Sequence, residues 1–252
     1  MRGLSWRRVR TARPPAGAPA HRGDPSVVAL VRAARRGADD RREGRVLNTV
    51  DVSGWNAPLD WSRVAAAGIS VAWVKATDGV GSPDPRYEQH ARGAADAGLI
   101  VGSYHYLRIR HGRPQDARAQ VREYLSRWHA YWHLRPVLDV ESGGNEAATS
   151  DEWSRAVCDA VAEVEQLVGV SPVIYTSRGE WEGRGLGSLT SLNRCPLWLA
   201  CYGATATVPR PWGEYALWQY TGDGVILGVP GVFDLSRGES LDRLRTNLAT
   251  AP

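Results

Sequence analysis

The sequence predicts an α/β protein, an irregular eight-stranded β/α barrel of the TIM type whose helices are missing from the last units. Three observations carry that expectation. Strand-like apolar runs alternate with amphipathic stretches from residue 46 to about residue 175, a pattern that favours a parallel sheet with right-handed crossovers. Eight such runs can be counted, several nearly continuous in apolar residues, as in strands covered on both faces of a closed barrel. Most of them also end in acidic or aromatic residues, at the end where a β/α barrel gathers its functional loops.

Val46 to Val50 is rich in β-branched residues and forms the first strand, closed by Asp51. Asp60 is placed to cap a helix from Trp61 to Ala67, with Gly68 as its stop. Ile69 to Val74 is the second strand and leads into Lys75-Ala76-Thr77-Asp78-Gly79. A helix from Pro85 to Ala97 stops at Gly98, and Leu99 to Tyr106 is the third strand. Gln115 to Trp132 carries apolar residues at three-and-four spacing and is expected as a helix. Thr149-Ser150-Asp151-Glu152 is a capping box, followed by a helical face of Trp153, Val157, Val161, Val164 and Val168 that ends at Gly169. Beyond it the helices thin out. Pro172 to Tyr175, Pro196 to Ala200, Tyr215 to Tyr220 and Gly231 to Asp234 complete the strands, separated mainly by Gly/Pro/Ser-rich loops.

The chain has 252 residues, 43% of them apolar and 11 of them tryptophan, enough for a large buried core. No run approaches the ~20 apolar residues of a membrane span, so no membrane span is expected. No stretch of residues 1–45 has the apolar core of a secretory signal, so export is expected to use another route. The net charge of +4 is unevenly placed: residues 1–45 hold 12 Arg against four acids, leaving −4 for residues 46–252. This basic leader, poor in aromatic residues, is expected to be largely disordered, and residues 46–252 to be the catalytic barrel. Cys158, Cys195 and Cys201 show neither metal-ligand spacing nor a plausible disulfide pairing and are read as buried thiols. His90, His105, His111, His129 and His133 also lack ligand spacing, most falling where a solvated or capping His is expected. No metal, cofactor or nucleic-acid partner is expected, and the protein is expected to be a monomer.

The chemistry centres on Val137-Leu138-Asp139-Val140-Glu141. In a strand, alternation sends Asp139 and Glu141 to one face and Leu138 and Val140 to the other. Two neighbouring carboxyls do not readily ionise together, and a proton donor held beside an anion is what glycoside hydrolysis uses. A lone Asp-x-Glu can equally be an exposed strand end leading into a polar loop. Here, however, it converges at the same end of the barrel with Asp51, Lys75, Tyr104, Tyr106, Tyr175, Trp198, Trp218, Gln219 and Asp234. Carboxylates ringed by aromatic faces suit a sugar polymer.

Asp51-Val52-Ser53, Lys75-Ala76-Thr77-Asp78-Gly79, Gly102-Ser103-Tyr104-His105-Tyr106, Asp139-Val140-Glu141, Tyr175-Thr176, Leu197-Trp198-Leu199-Ala200, Leu217-Trp218-Gln219-Tyr220 and Phe233-Asp234 resemble, in order and spacing, the motifs of the glycoside hydrolase family 25 lysozymes, the Chalaropsis-type N-acetylmuramidases. The resemblance spans about residues 46–248. Asp78 stands where that family often has Glu, and the leader lies outside the pattern. The resemblance implies a peptidoglycan hydrolase that cuts the β-1,4 bond between N-acetylmuramic acid and N-acetylglucosamine. An Arg-rich, Lys-poor chain without a signal peptide would suit a phage lysin.

By that resemblance Glu141 is the general acid, and Asp139 holds the proton in place and orients the substrate's 2-acetamido group. Asp51 and Asp234 line the floor and tune the pair. Tyr106 and Tyr175 lie near the acetamido group, and Tyr104, Lys75, Trp198 and Trp218 contribute to substrate binding. Attack by the acetamido group and direct attack by water both fit the sequence, and so do two rival functions: a barrel that binds glycan without cutting it, and a chitinase-like N-acetylglucosaminidase.

Overall fold

The computed structural model describes residues 47–113, 116–128 and 134–246. The expected disorder of the leader, residues 1–45, lies outside them. Eight strands close into a barrel in sequence order: β1 (Leu47–Val52), β2 (Val71–Asp78), β3 (Ile100–Tyr106), β4 (Val137–Asp139), β5 (Val173–Ser177), β6 (Leu197–Ala200), β7 (Leu217–Gly224) and β8 (Phe233–Gly238). Between them lie α1 (Trp61–Ala66), α2 (Tyr87–Asp96), α3 (Ala117–Leu125), α4 (Ser150–Val168) and the short α5 (Arg178–Gly183).

β1 to β7 pair in parallel with their neighbours, but β8 is antiparallel to both β7 and β1. The expectation of a wholly parallel sheet is corrected here. A parallel return needs a crossover of a dozen or more residues, usually helical. Residues 225–232 are too few, so the chain returns as a hairpin. The reversal moves the functional end of the last strand: Asp234 lies near the start of β8, opposite Asp51 of β1.

The helices form where their caps stop the chain. Asp60 accepts from the Arg63 N–H and starts α1. Thr149 and Glu152 make the reciprocal capping box of α4, and Gly169 ends that helix in the left-handed conformation, φ 78°. The helix expected from Gln115 to Trp132 is shorter, Ala117 to Leu125. Residues 115 and 129–132 lie outside the described set.

The barrel interior is filled by Val71, Trp73, Val137, Val173, Tyr175, Trp198 and Leu217. The indoles of Trp73 and Trp198 meet at 5.3 Å between centroids. Gly102 makes this possible, because a Cβ there would stand 2.3 Å from the Trp73 ring. Outside the strands, α4 packs Trp153, Val157, Val161 and Val164 against Leu138, Ile174 and Leu197.

Two sequence expectations change. Only Cys195 is fully buried; Cys158 and Cys201 are partly exposed, and all three are free. His105 is a buried strand residue, held between Thr77 Oγ1 (2.8 Å) and Gln120 Oε1 (3.2 Å). Burial pushes its pKa down to about 4 and keeps it neutral. His90 is likewise buried, edge-on to Trp61.

Candidate active site

At the mouth of the barrel the strand ends enclose a cleft of about 250 Å³. Four carboxylates line it: Asp51, Asp139, Glu141 and Asp234. Register explains their meeting. Asp51 pairs with Asp234 across β1 and β8, and Asp139 lies between Tyr106 of β3 and Tyr175 of β5. The strand reading of Asp139 and Glu141 holds in its parity but not in its length. β4 ends at Asp139, yet Val140 N still donates to Tyr175 O at 2.9 Å. Leu138 and Val140 therefore face the outer core while Asp139 and Glu141 face the cleft.

Burial dominates the electrostatics. It raises Asp139 well above the ordinary carboxylate value, and the neighbouring charge of Glu141 adds to the shift. Oδ1 of Asp139 is buried without a hydrogen-bond partner among the described residues. Glu141 is also raised by burial, offset in part by the Tyr175 hydroxyl and supplemented by the charges of Glu180 and Asp234. Asp51 is raised well above its ordinary value by burial and by Asp234, against a hydrogen bond from Gln219 Nε2 at 3.0 Å. Burial lifts Asp234 to about 6. Four acids crowded into one cleft disfavour one another's ionisation, so the group gives up its protons at higher pH than isolated carboxyls would.

Lys75 is the cation among the lining residues. Its Nζ contacts Asp78 at 2.9 Å and stands 4.7 Å from the Tyr106 ring centroid. Tyr104, Tyr106 and Tyr175 all line the cleft. Trp198 lines the floor, nearly buried, with Nε1 donating to Ser236 Oγ at 3.0 Å. Trp218 is not brought to the cleft. Alternation sends Leu217 and Gln219 inward and Trp218 to the outer face, where its Nε1 donates to Cys201 O at 2.7 Å and Arg237 covers its ring.

Two aromatic residues of the rim carried little sequence signal because they sit in loops. Trp55 is 93% exposed and Tyr202 is 63% exposed, and both line the cleft. The turn under Trp55 is nonetheless fixed: Ser53 N donates to Asn56 Oδ1 at 2.8 Å, and Gly54 N to Asp84 Oδ2 at 2.7 Å. The Tyr202 hydroxyl bonds Gln219 Oε1 at 3.1 Å. The one sequence hint was an aromatic residue four positions after the strand-end Asp51.

A β/α barrel with clustered carboxyls, an inward-facing aromatic floor and exposed aromatic rim residues defines the class of carbohydrate-cleaving barrel enzymes. Sequence comparison places the chain more closely: the sequence model described as "Glycosyl hydrolases family 25" matches residues 50–229. The chain belongs to that family and is a glycoside hydrolase. Lysozyme M1 of Streptomyces globisporus is 30% identical over 80% of this chain and 72% of its own length. The N,O-diacetylmuramidase of Chalaropsis is 26% identical over 67% of this chain and 85% of its own. The crystal structure of a Streptomyces coelicolor lysozyme superposes with a TM-score of 0.69, at 28% identity, covering 78% of this chain and 94% of that one.

Proposed function

We propose that this family 25 lysozyme cleaves peptidoglycan between N-acetylmuramic acid and N-acetylglucosamine with Glu141 as proton donor and Asp139 as its assistant. Cleavage at that bond by a hydrolase of the cell wall follows from family membership. The assignment of the residues rests on one observation: two neighbouring carboxyls, both raised by burial, of which the deeper has an unpartnered oxygen. The pair shares a proton. Glu141, the less buried, faces the cleft where a glycosidic oxygen can reach it and transfers the proton as the C1–O bond breaks. Asp139 Oδ1 accepts the acetamido N–H of the sugar, so that the acetamido carbonyl oxygen attacks C1 and forms a cyclic oxazolinium, one of the exceptions to the two-carboxylate scheme. Water then adds at C1 and gives a proton back to Glu141. Asp51 and Asp234 tune this pair, Lys75, Tyr104, Tyr106 and Tyr175 line the sugar site, and Trp198 forms its floor.

Residues 46–252 are proposed to act alone as a monomeric catalytic barrel, reaching the wall from outside the cell or after release from a phage-infected one. Among the described residues no helix is long and apolar enough to cross a membrane. Analysis of reducing ends in digested peptidoglycan tests the bond choice: new muramic acid ends are expected, and new glucosamine ends would assign the chitinase-like reaction instead.

A further inference from the structure

The proposed proton donor does not stand on a strand. β4 stops at Asp139, and the last ladder-like contact before Glu141 is made by Val140, whose N–H donates to Tyr175 O and whose carbonyl accepts from Thr176 Oγ1 at 2.9 Å. Groups carried by loops are held less accurately than groups on strands unless a supporting shell fixes them. The loop here continues through Ser142-Gly143-Gly144, with Gly144 at φ +78°, so its own backbone supplies little stiffness.

Two residues outside the catalytic set hold it. Asn145 is buried, and its side chain spends every polar atom on backbone. Nδ2 donates to Glu141 O at 2.7 Å and to Leu107 O at 2.9 Å, while Oδ1 accepts from Ile109 N at 2.9 Å. Arg108 closes the other side of the loop. Its Nη1 donates to Gly143 O, which also accepts from the Tyr106 hydroxyl at 2.9 Å. The rest of the guanidinium is locked on Asp78, through Nε and through Nη2 at 2.8 Å. The Arg108 backbone is gripped by Gln120 of α3, at 2.9 Å from its N–H and 2.8 Å from its carbonyl. The glycines leave this fork its space: a Cβ on Gly144 would stand 2.5 Å from Arg108 Nη1, one on Gly79 2.8 Å from Arg108 Cγ, and one on Gly143 2.7 Å from the Tyr106 hydroxyl.

We infer that Arg108 and Asn145 are positioning residues that clamp the loop after β4 to the loop after β3 and so fix the Glu141 carboxyl against Asp139 and the scissile bond. The inference rests on Glu141 being the proton donor. Arg108 acts by the two-pronged shape of its guanidinium, which spans Asp78 and Gly143 at once; a lysine ammonium is a point charge that cannot. A misplacement of about 1 Å in a reacting group can cost roughly 10²-fold, and a loop still held by Asn145 should move less than that.

The test uses the full-length enzyme and purified peptidoglycan, with Arg108→Gln, Arg108→Lys and Glu141→Gln compared side by side. Arg108 is partly exposed, so its variants are expected to fold, which their melting curves establish. Both Arg108 variants should lose about tenfold in kcat with KM within about twofold of wild type. The basic limb of their pH profile should move down, because a loosened Glu141 meets water and loses the burial that raises its pKa. Loss of positive charge alone would move that limb up, and would be repaired in Arg108→Lys. Wild-type kcat in Arg108→Lys, an upward shift of the limb, or an effect confined to KM would overturn the clamp while an inactive Glu141→Gln left the donor assignment standing. An active Glu141→Gln would overturn both.

Discussion

The floor and the mouth of this barrel are both made from inward-facing residues of its strands and strand ends, and they do opposite things. Low in the barrel, Val71, Trp73, Val137, Val173 and Leu217 interlock without charge. A few residues further along, β4 ends in Asp139 and leads into the Glu141 loop, and Asp51 of β1 and Asp234 of β8 complete four carboxyls that each bear the cost of burial. The floor stabilises the fold and the mouth strains it electrostatically. The barrel can crowd ionisable groups into one cleft because its floor supplies the stability that they subtract.

If that division is right, substitutions at the two ends should separate cleanly. Trp73→Ala removes one of the two tryptophans of the floor and should cost about 3–5 kcal/mol of stability, the usual range for a buried aromatic truncated in a core, measured by denaturant unfolding. A loss below 1 kcal/mol would mean that the floor is not the support described here. Glu141→Gln should do the reverse, lowering kcat on purified walls by about 10² or more through loss of the proposed proton donor, while its melting temperature near neutrality should not fall, because burial raises Glu141 as well and its ionised form adds nothing to stability.

Asp51→Asn sharpens the contrast, because it should stabilise the protein. Asp51 is raised in the fold, so its ionised form penalises folding. That penalty is absent below the unfolded value of about 3.9 and grows as pH rises above it. The variant should therefore melt higher than wild type at pH 7, by about 2–4 °C for each kcal/mol relieved, whereas at pH 3 the two should melt at the same temperature. A lower melting temperature at pH 7 would show that the Gln219 contact outweighs the burial of charge.

The sequence made the floor legible and the mouth only partly so. Apolar strands, the Asp60 cap and the Thr149 box are local patterns, and each appears where its residues place it. The direction of β8 is not local: Gly231 to Asp234 reads the same whichever way it pairs, and only the short connection from β7 decides. Trp218 and Gln219 sit side by side in sequence but on opposite faces, so a reading that counted both at the mouth erred by one residue of register. Trp55 and Tyr202 lie in loops whose periodicity carries no information. Arg108 and Asn145 reach partners 30 to 38 residues away through side-chain hydrogen bonds, a relation that no local motif encodes.

The smallest expected effect concerns residues 1–45, whose charge of +8 contrasts with −4 for the remainder. The full chain should bind intact walls rich in anionic polymer better than the 46–252 fragment at low salt. The two should converge once screening over ~8–10 Å takes hold at physiological ionic strength and above, while their rates on soluble muropeptides remain alike. Equal wall binding at low salt would leave the leader without this role.

The carboxyl pair is the centre of the account, and the pH profile of Asp139→Asn tests it most directly. Removing a negative charge beside Glu141 makes its ionisation easier. The residual kcat/KM of the variant, measured across pH against wild type, should therefore lose activity at a lower pH on its basic side. A basic limb that stays where the wild type has it would mean that Asp139 does not govern the proton on Glu141, and the assignment of donor and assistant would fail.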